Sequence, residues 1–184
     1  MVIDLSLSPV IAAVKSEAQL VLALESECDV IFLLFGDILN IAGLTEKIAA
    51  AGKQPVVHLD LVVGLSSKEI VVDFIAKTTK AVGIISTKPT LIRRAKELGL
   101  FTVLRVFAID SMALSNLDRE CAMVQPDVVE LLPGLMPSVI RRVSEKSAIP
   151  IIAGGLISGK ADILAALQAG AAAVSTTHEE SWNL

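Results

Sequence analysis

The chain predicts a single α/β domain, a compact parallel (β/α)8 barrel of the TIM type with its last helix reduced or missing. Three observations carry that prediction. Eight short runs rich in Val, Ile, Leu and Ala recur along the 184 residues, and helical patterns follow most of them. The runs start near residues 9 and 172, which brackets seven repeats of about 23 residues. Strands with so few polar positions suit a parallel sheet covered by helices. Strand, helix and strand in series is the unit that closes into such a barrel. A repeat this short is tight, because the fold takes about 250 residues in its usual form. Only HEESW (178–182) follows the last run, so a ring of seven helices is expected. A doubly wound open sheet is the alternative, but no G-x-G-x-x-G follows the first strand.

The strands are PVIAAV (9–14), CDVIFLLF (28–35), QPVVHLD (54–60), AVGIIST (81–87), FTVLRVF (101–107), PDVVELL (126–132), PIIAGG (150–155) and AAVSTT (172–177). Period-3.6 patterns place helices at 17–24, 41–51, 68–77, 90–98, 112–124, 137–146 and 160–169. Ser66 to Glu69 has capping-box spacing, Pro137 suits a first helical turn, and Ser158 is placed to cap the helix after it. Gly52, Gly99 and Gly170 stand where helices end in a left-handed residue.

Composition narrows the function. Hydrophobic residues make up 53% of the chain and the mean hydropathy is +0.69, yet no apolar run approaches the ~20 residues of a membrane span. MVIDLSLSPV lacks the basic segment, long apolar stretch and cleavage site of a secretory signal, so a cytoplasmic protein with no membrane partner is expected. Cys28 and Cys121 have no metal-like spacing and read as buried free thiols. Only His58 and His178 are available as histidine ligands, so neither a metal nor a cofactor is expected. The net charge of −4 has the wrong sign for a constitutive nucleic-acid binder. RNA contact would need a local basic strip.

Barrel sites lie where the strands end, so polar residues late in apolar strands are informative. Here they recur. His58 and Asp60 close the third strand and share a side by alternation. Ser86 and Lys88 end the fourth, Arg105 and Glu130 lie in the fifth and sixth, and Lys15 follows the first. Such charges must pair or meet a ligand; a fixed Arg105–Glu130 pair filling the barrel centre is the plain structural explanation. Gly154 and Gly155 after strand seven, with Ser175 and Thr176 before a short helix at 178–182, have the layout of a phosphate cradle.

VVHLDLVVGLSSKE (56–69), VGIISTKPTLIRRAKELG (82–99), RVFAIDSMAL (105–114), VELLPGLMP (129–137), IPIIAGGLI (149–157) and AGAAAVSTT (169–177) together resemble the glycerol uptake operon antiterminator regulatory proteins. The resemblance runs from strand one nearly to the end of the chain. It implies a barrel that senses glycerol-3-phosphate and, when loaded, acts on leader mRNA to prevent early transcription termination. Carried onto this chain, it sets the phosphate against Gly154, Gly155, Ser175 and Thr176. The glycerol hydroxyls then face His58, Asp60, Arg105 and Glu130, with Ser86 and Lys88 at the rim. One departure stands out: no basic residue comes soon after the strand-seven glycines, where Ser158 precedes Lys160.

For RNA, two strips qualify: Arg93, Arg94 and Lys96 on one helix, and Arg141, Arg142 and Lys146 on another. The plain reading of each is a solvated helix face. No aromatic stacking platform accompanies them, so phosphate contacts would dominate. A homodimer would join the strips into a larger surface. The competing class is a phosphosugar enzyme of the epimerase or aldolase type. His58, Asp60 and Glu130 suit acid-base work, but no lysine sits low in a strand to form a Schiff base.

Overall fold

Eight parallel strands pair in chain order and close on themselves: β1 (Val10–Val14), β2 (Val30–Leu33), β3 (Gln54–His58), β4 (Gly83–Ser86), β5 (Phe101–Phe107), β6 (Val128–Leu132), β7 (Ile151–Gly154) and β8 (Ala173–Thr176). The seam is the pairing of Ile11 with Ser175 and Ala12 with Thr176. The computed structural model describes residues 3–5 and 8–184. The reading of the first ten residues as lacking a secretory signal therefore lies partly outside the described residues. The barrel follows the predicted strands closely, each trimmed by a residue or more at its ends except β5.

Among the described residues seven helices cover the barrel: α1 (Glu17–Glu25), α2 (Ile41–Ala50), α3 (Ile70–Thr78), α4 (Pro89–Glu97), α5 (Ser111–Val124), α6 (Pro137–Ser144) and α7 (Lys160–Gln168). The eighth is replaced by a 3-10 helix, Glu179–Asn183, whose Trp182 is buried. No helix among the described residues is long and apolar enough to cross a membrane.

Local chemistry sets the helix ends. Ser16 accepts from the Gln19 amide at 3.2 Å and Asp110 accepts from the Ala113 amide at 2.8 Å, so each satisfies a free amide of the first turn. Pro89 and Pro137 open α4 and α6 where no amide is missed. Gly52, Gly99 and Gly170 adopt φ of +77°, +74° and +101°, as expected after a helix.

Two expected caps do not form. Ser66 accepts instead from Lys68, two residues on, and α3 starts only at Ile70, because Ser67 is held across the loop by Lys88. Ser158 donates through both its amide and its hydroxyl to Asp162, so the carboxylate reaches back and Gly159 is the N-cap of α7.

Side-chain alternation divides the apolar residues into two cores. Ala12, Ile31, Val57, Ile84, Leu104, Val129, Ala153 and Val174 face the helices. Ile11, Phe32, Val56, Ile85, Val103, Val128, Ile152 and Ala173 fill the barrel, together with Ile3 and Leu5. The two cysteines are free thiols. Cys28 is buried, while Cys121 is only half-buried, a departure from expectation that follows from its position on a loosely covered stretch of α5.

Candidate functional site

The period of two that fills the barrel also builds the site. One step toward the strand C-termini from the interior apolar layer lie His58 above Val56, Arg105 above Val103, Glu130 above Val128, Gly154 above Ile152 and Ser175 above Ala173. Lys15 follows Ala13 and Leu34 follows Phe32 in the same way. An apolar plug is thus capped by a polar layer.

At its centre Arg105 Nε donates to Glu130 Oε2 at 2.6 Å, and Ser175 Oγ donates to Glu130 Oε1 at 2.6 Å. Glu130 is 1% exposed and Arg105 9%. Both oxygens of the carboxylate are bonded, which is what a charge so deep requires. Gly154 is required by the same cluster. A Cβ there would stand 2.6 Å from Glu130 Oε1 and 2.7 Å from Ser175 Oγ.

His58 and Asp60 form a neighbouring cluster by a different route from the one expected. The strand ends at His58 and Leu59–Leu61 is a 3-10 turn, so Asp60 is not on the strand. The turn nevertheless brings Asp60 Oδ2 within 3.9 Å of His58 Nδ1. Asp60 accepts from the Thr87 amide at 2.8 Å, from the Ser86 hydroxyl and from Lys88 Nζ at 3.0 Å, and Lys88 also donates to Ser67 at 2.7 Å. Burial would raise the Asp60 carboxyl, but the Thr87 amide and Lys88 outweigh it and hold it below its usual range. His58 is lowered to about 4 by burial and by the Arg105 guanidinium, so its imidazole is neutral at neutral pH. Among the described residues its buried Nδ1 has no hydrogen-bond partner.

The open volume lies beside this, at the mouth between β1, β7 and β8. A cavity of about 440 Å³ is lined by Lys15, Arg105, Glu130, Gly155, Ser175 and Thr176, with Ser158, Thr177 and His178 at its edge. Gly155 and Leu156 turn the loop with φ of +77° and +64°. Thr176 is fixed by donating to the Ile157 carbonyl at 2.7 Å and by accepting from the His178 amide at 3.0 Å. Among the described residues Lys15 takes no ion pair, whereas Arg105 is bound to Glu130.

The structure therefore brings Arg105, Glu130, Gly155, Ser175 and Thr176 to one cavity, with Gly154 behind them. It sets His58, Asp60, Ser86 and Lys88 in the adjoining cluster. Lys15 supplies the cation that the loop after β7 lacks. The signal for it was the closure itself, because pairing β1 with β8 seats the residue after β1 beside those after β8. Ser158 and His178 carried no such signal. In place of the helix expected at 178–182 stands the five-residue 3-10 helix Glu179–Asn183 with Glu179 and Glu180 in its first turn, so it lends no helix terminus to an anion. Among the described residues no group of three or more His, Cys, Asp and Glu side chains is arranged to hold a metal ion.

The two basic strips differ. On α4, Arg93 pairs with Glu69 at 3.1 Å, Arg94 with Asp73 at 2.6 Å and Glu97 at 2.8 Å, and Lys96 with Asp127 at 3.7 Å. Arg141 and Arg142 lie on α6, but that helix ends at Ser144, short of the predicted Lys146, which follows it; all three are exposed, and among the described residues none of them takes an ion pair.

Comparisons with known proteins agree with this architecture. The uncharacterized protein YgcP of Escherichia coli (strain K12) is 45% identical over 177 residues, covering 96% of this chain and 93% of that protein. The crystal structure of the glycerol uptake operon antiterminator regulatory protein from Listeria monocytogenes superposes with a TM-score of 0.94 at 31% identity, covering 99% and 98% of the two chains. That of a glycerol uptake operon antiterminator-related protein from Thermotoga maritima gives 0.84 at 33%, covering 94% and 96%. Orotidine 5'-phosphate decarboxylase from Pyrococcus horikoshii, at 19% identity and a TM-score of 0.66 over 91% and 88%, shares the fold alone. The model of the glycerol-3-phosphate responsive antiterminators matches residues 10–182, and the chain belongs to that family.

Proposed function

We propose that this protein senses glycerol-3-phosphate at the barrel mouth and, when loaded, acts on the leader mRNA of glycerol-utilisation operons to prevent early termination. The observation that supports it best is the cavity between β1, β7 and β8, whose two ends differ in chemistry. At one end Lys15, which takes no ion pair among the described residues, faces the turn at Gly155 and the Thr177 hydroxyl, a setting for a phosphate, while Thr176, its proton given to the Ile157 carbonyl, holds the wall. At the other, Glu130, Arg105 and Ser175 present acceptors and donors to a polyol. His58 and Asp60, with Ser86 and Lys88 at the rim, extend that polar layer toward the second hydroxyl. Gly154 holds the space that lets Glu130 and Ser175 meet.

The family is named for regulation, and the strands offer little for catalysis. Their charged side chains are Arg105 and Glu130, bound to each other, and no strand carries a lysine. An epimerase or aldolase reading is therefore not favoured. For the RNA, Arg141 and Arg142 on α6 and Lys146 just after it offer uncompensated charge to phosphates. Arg93, Arg94 and Lys96 on α4 are neutralised by their partners and contribute less. Pairing two copies would double the α6 strip.

Calorimetric titration with glycerol-3-phosphate, with glycerol and inorganic phosphate as controls and product formation followed in parallel, tests the sensor. Binding of the ester, weak response to either fragment and no turnover are expected. Lys15→Ala is expected to weaken binding by about tenfold or more, as loss of a charged contact does. Turnover, or no binding of the ester, would overturn the reading.

A further inference from the structure

Helices α3 and α4, α4 and α5, and α6 and α7 pack against one another. Between α5 and α6 the surface instead opens into a cleft that runs from Ser111 to Gln125. It holds an upper chamber of about 220 Å³ and a lower one of about 540 Å³, which share Leu117, Asp118, Val143 and Lys146. Its floor is apolar. Its two walls carry opposite charge: Asp118 on α5 faces Arg142 on α6 and Lys146 just beyond that helix. Charges of opposite sign lining one cleft ordinarily close into an ion pair. Among the described residues none bridges this one, and all three side chains are exposed. The cleft keeps an acceptor on one side and donors on the other, with hydrophobic surface between.

We infer that this cleft receives an unstacked base of single-stranded RNA, and that the base is one bearing an exocyclic amino group. The inference rests on the RNA-acting reading above and adds how sequence would be read. Specific RNA recognition splays bases out of loops, stacks their faces on aromatic or guanidinium planes and bonds their edges to side chains; the lining of this cleft has no aromatic ring and offers an apolar floor in its place. Leu117 and Val143 supply the face contact, Asp118 accepts from the amino group, and Arg142 or Lys146 donates to the neighbouring ring acceptor. Adenine, cytosine and guanine each carry a projecting amino group beside a ring-nitrogen acceptor; uracil carries none and offers only its recessed imino N–H between two carbonyls. Arg141, on the same helix, is left for the backbone phosphate. Charge complementarity favours RNA over a protein partner, since Arg141 and Arg142 on α6 and Lys146 after it are three cations without ion pairs among the described residues, against one carboxylate in the cleft.

The test is RNA binding by the full chain in the presence of glycerol-3-phosphate, measured by fluorescence anisotropy with the leader RNA and with single-stranded oligo(C), oligo(A) and oligo(U). Oligo(U) is expected to bind most weakly. Asp118→Asn and Arg142→Ala should each cut the preference for oligo(C) over oligo(U) by about tenfold. Arg141→Ala should weaken all RNAs alike and lower the salt slope by about one. All three positions are exposed, and circular dichroism confirms that the variants keep the fold. Leader RNA binding that persists with unchanged base preference in Asp118→Asn and Arg142→Ala overturns the cleft and leaves the regulator standing. No RNA binding by the loaded wild-type chain overturns both. Loss of self-association in Arg142→Ala, with RNA binding intact, overturns it in favour of a second copy of the chain.

Discussion

Burial and the Arg105 guanidinium together keep the His58 imidazole neutral, and this makes one side chain a term in the stability of the whole fold. Its value falls from 6.5 in the unfolded chain to about 4 in the folded one. Between those values the unfolded chain binds a proton that the folded chain refuses, so folding is opposed increasingly as pH falls. The His58 contribution is complete above pH 6.5 and is lost progressively down to about pH 4. The span is on the order of 3 kcal/mol. Asp60, held low, acts in the same direction only below its ordinary value of 3.8. Urea unfolding at pH 7 and pH 4.5 is therefore expected to show a drop that His58→Gln largely abolishes. An equal drop in the variant would show that another group carries it. At this scale the sequence was readable where a residue sits on a strand. His58, Arg105, Glu130 and Ser175 follow from a period of two. Asp60 reached its place through a 3-10 turn that alternation does not describe, and Gly154 clears room for a carboxylate and a hydroxyl of its own barrel.

Elements were legible where their signals are local. The prolines opening α4 and α6 and the glycines after α2, α4 and α7 act within a few residues of themselves. Ser66 and Ser158 failed as caps because each met a competing partner that spacing alone does not rank: Lys68 for one, Asp162 for the other. The reduced eighth helix was visible from the few residues left after β8. Its means of compensation was not. Trp182 is buried to 2% exposure beneath the ring and its Nε1 donates to the Thr176 carbonyl at 2.9 Å, at the end of the strand that lines the cavity. Trp182→Ala is expected to cost about 3–5 kcal/mol in urea unfolding. Trp182→Phe keeps most of the bulk and loses the bond, and the lost bond itself accounts for about 0.5–1.5 kcal/mol. Because the same bond fixes Thr176, the phenylalanine variant should also bind glycerol-3-phosphate more weakly. Unchanged affinity would confine Trp182 to packing.

At the scale of the molecule, eight repeats of one unit made the barrel the most legible feature, since closure needs only the order and spacing of strands. The link between the cavity and α6 was not legible, because it runs between loops. The Gly134 amide, in the segment leading from β6 to α6, donates to the Gly155 carbonyl in the turn beside the cavity at 3.1 Å. A Cβ on Gly134 would lie 3.2 Å from the Gly154 amide nitrogen, so the two loops pack without room between them. On the proposed reading, a ligand that orders the Gly155 turn is expected to act through this contact on the segment leading into α6, the helix of Arg141 and Arg142. Thermodynamics makes the consequence reciprocal: whatever factor the ligand adds to RNA affinity, the RNA must add to ligand affinity. Couplings of this kind run to about 5–150-fold. The expectation is therefore a matched pair of shifts, one read by anisotropy of leader RNA with and without saturating glycerol-3-phosphate, the other by calorimetry of glycerol-3-phosphate with and without saturating RNA. Contacts to RNA phosphates release counterions and make the RNA side salt-dependent, so both must be taken at one ionic strength. RNA affinity that ignores the ligand, with ligand affinity equally indifferent to RNA, would mean that the cavity and α6 work independently and that the loop contact transmits nothing.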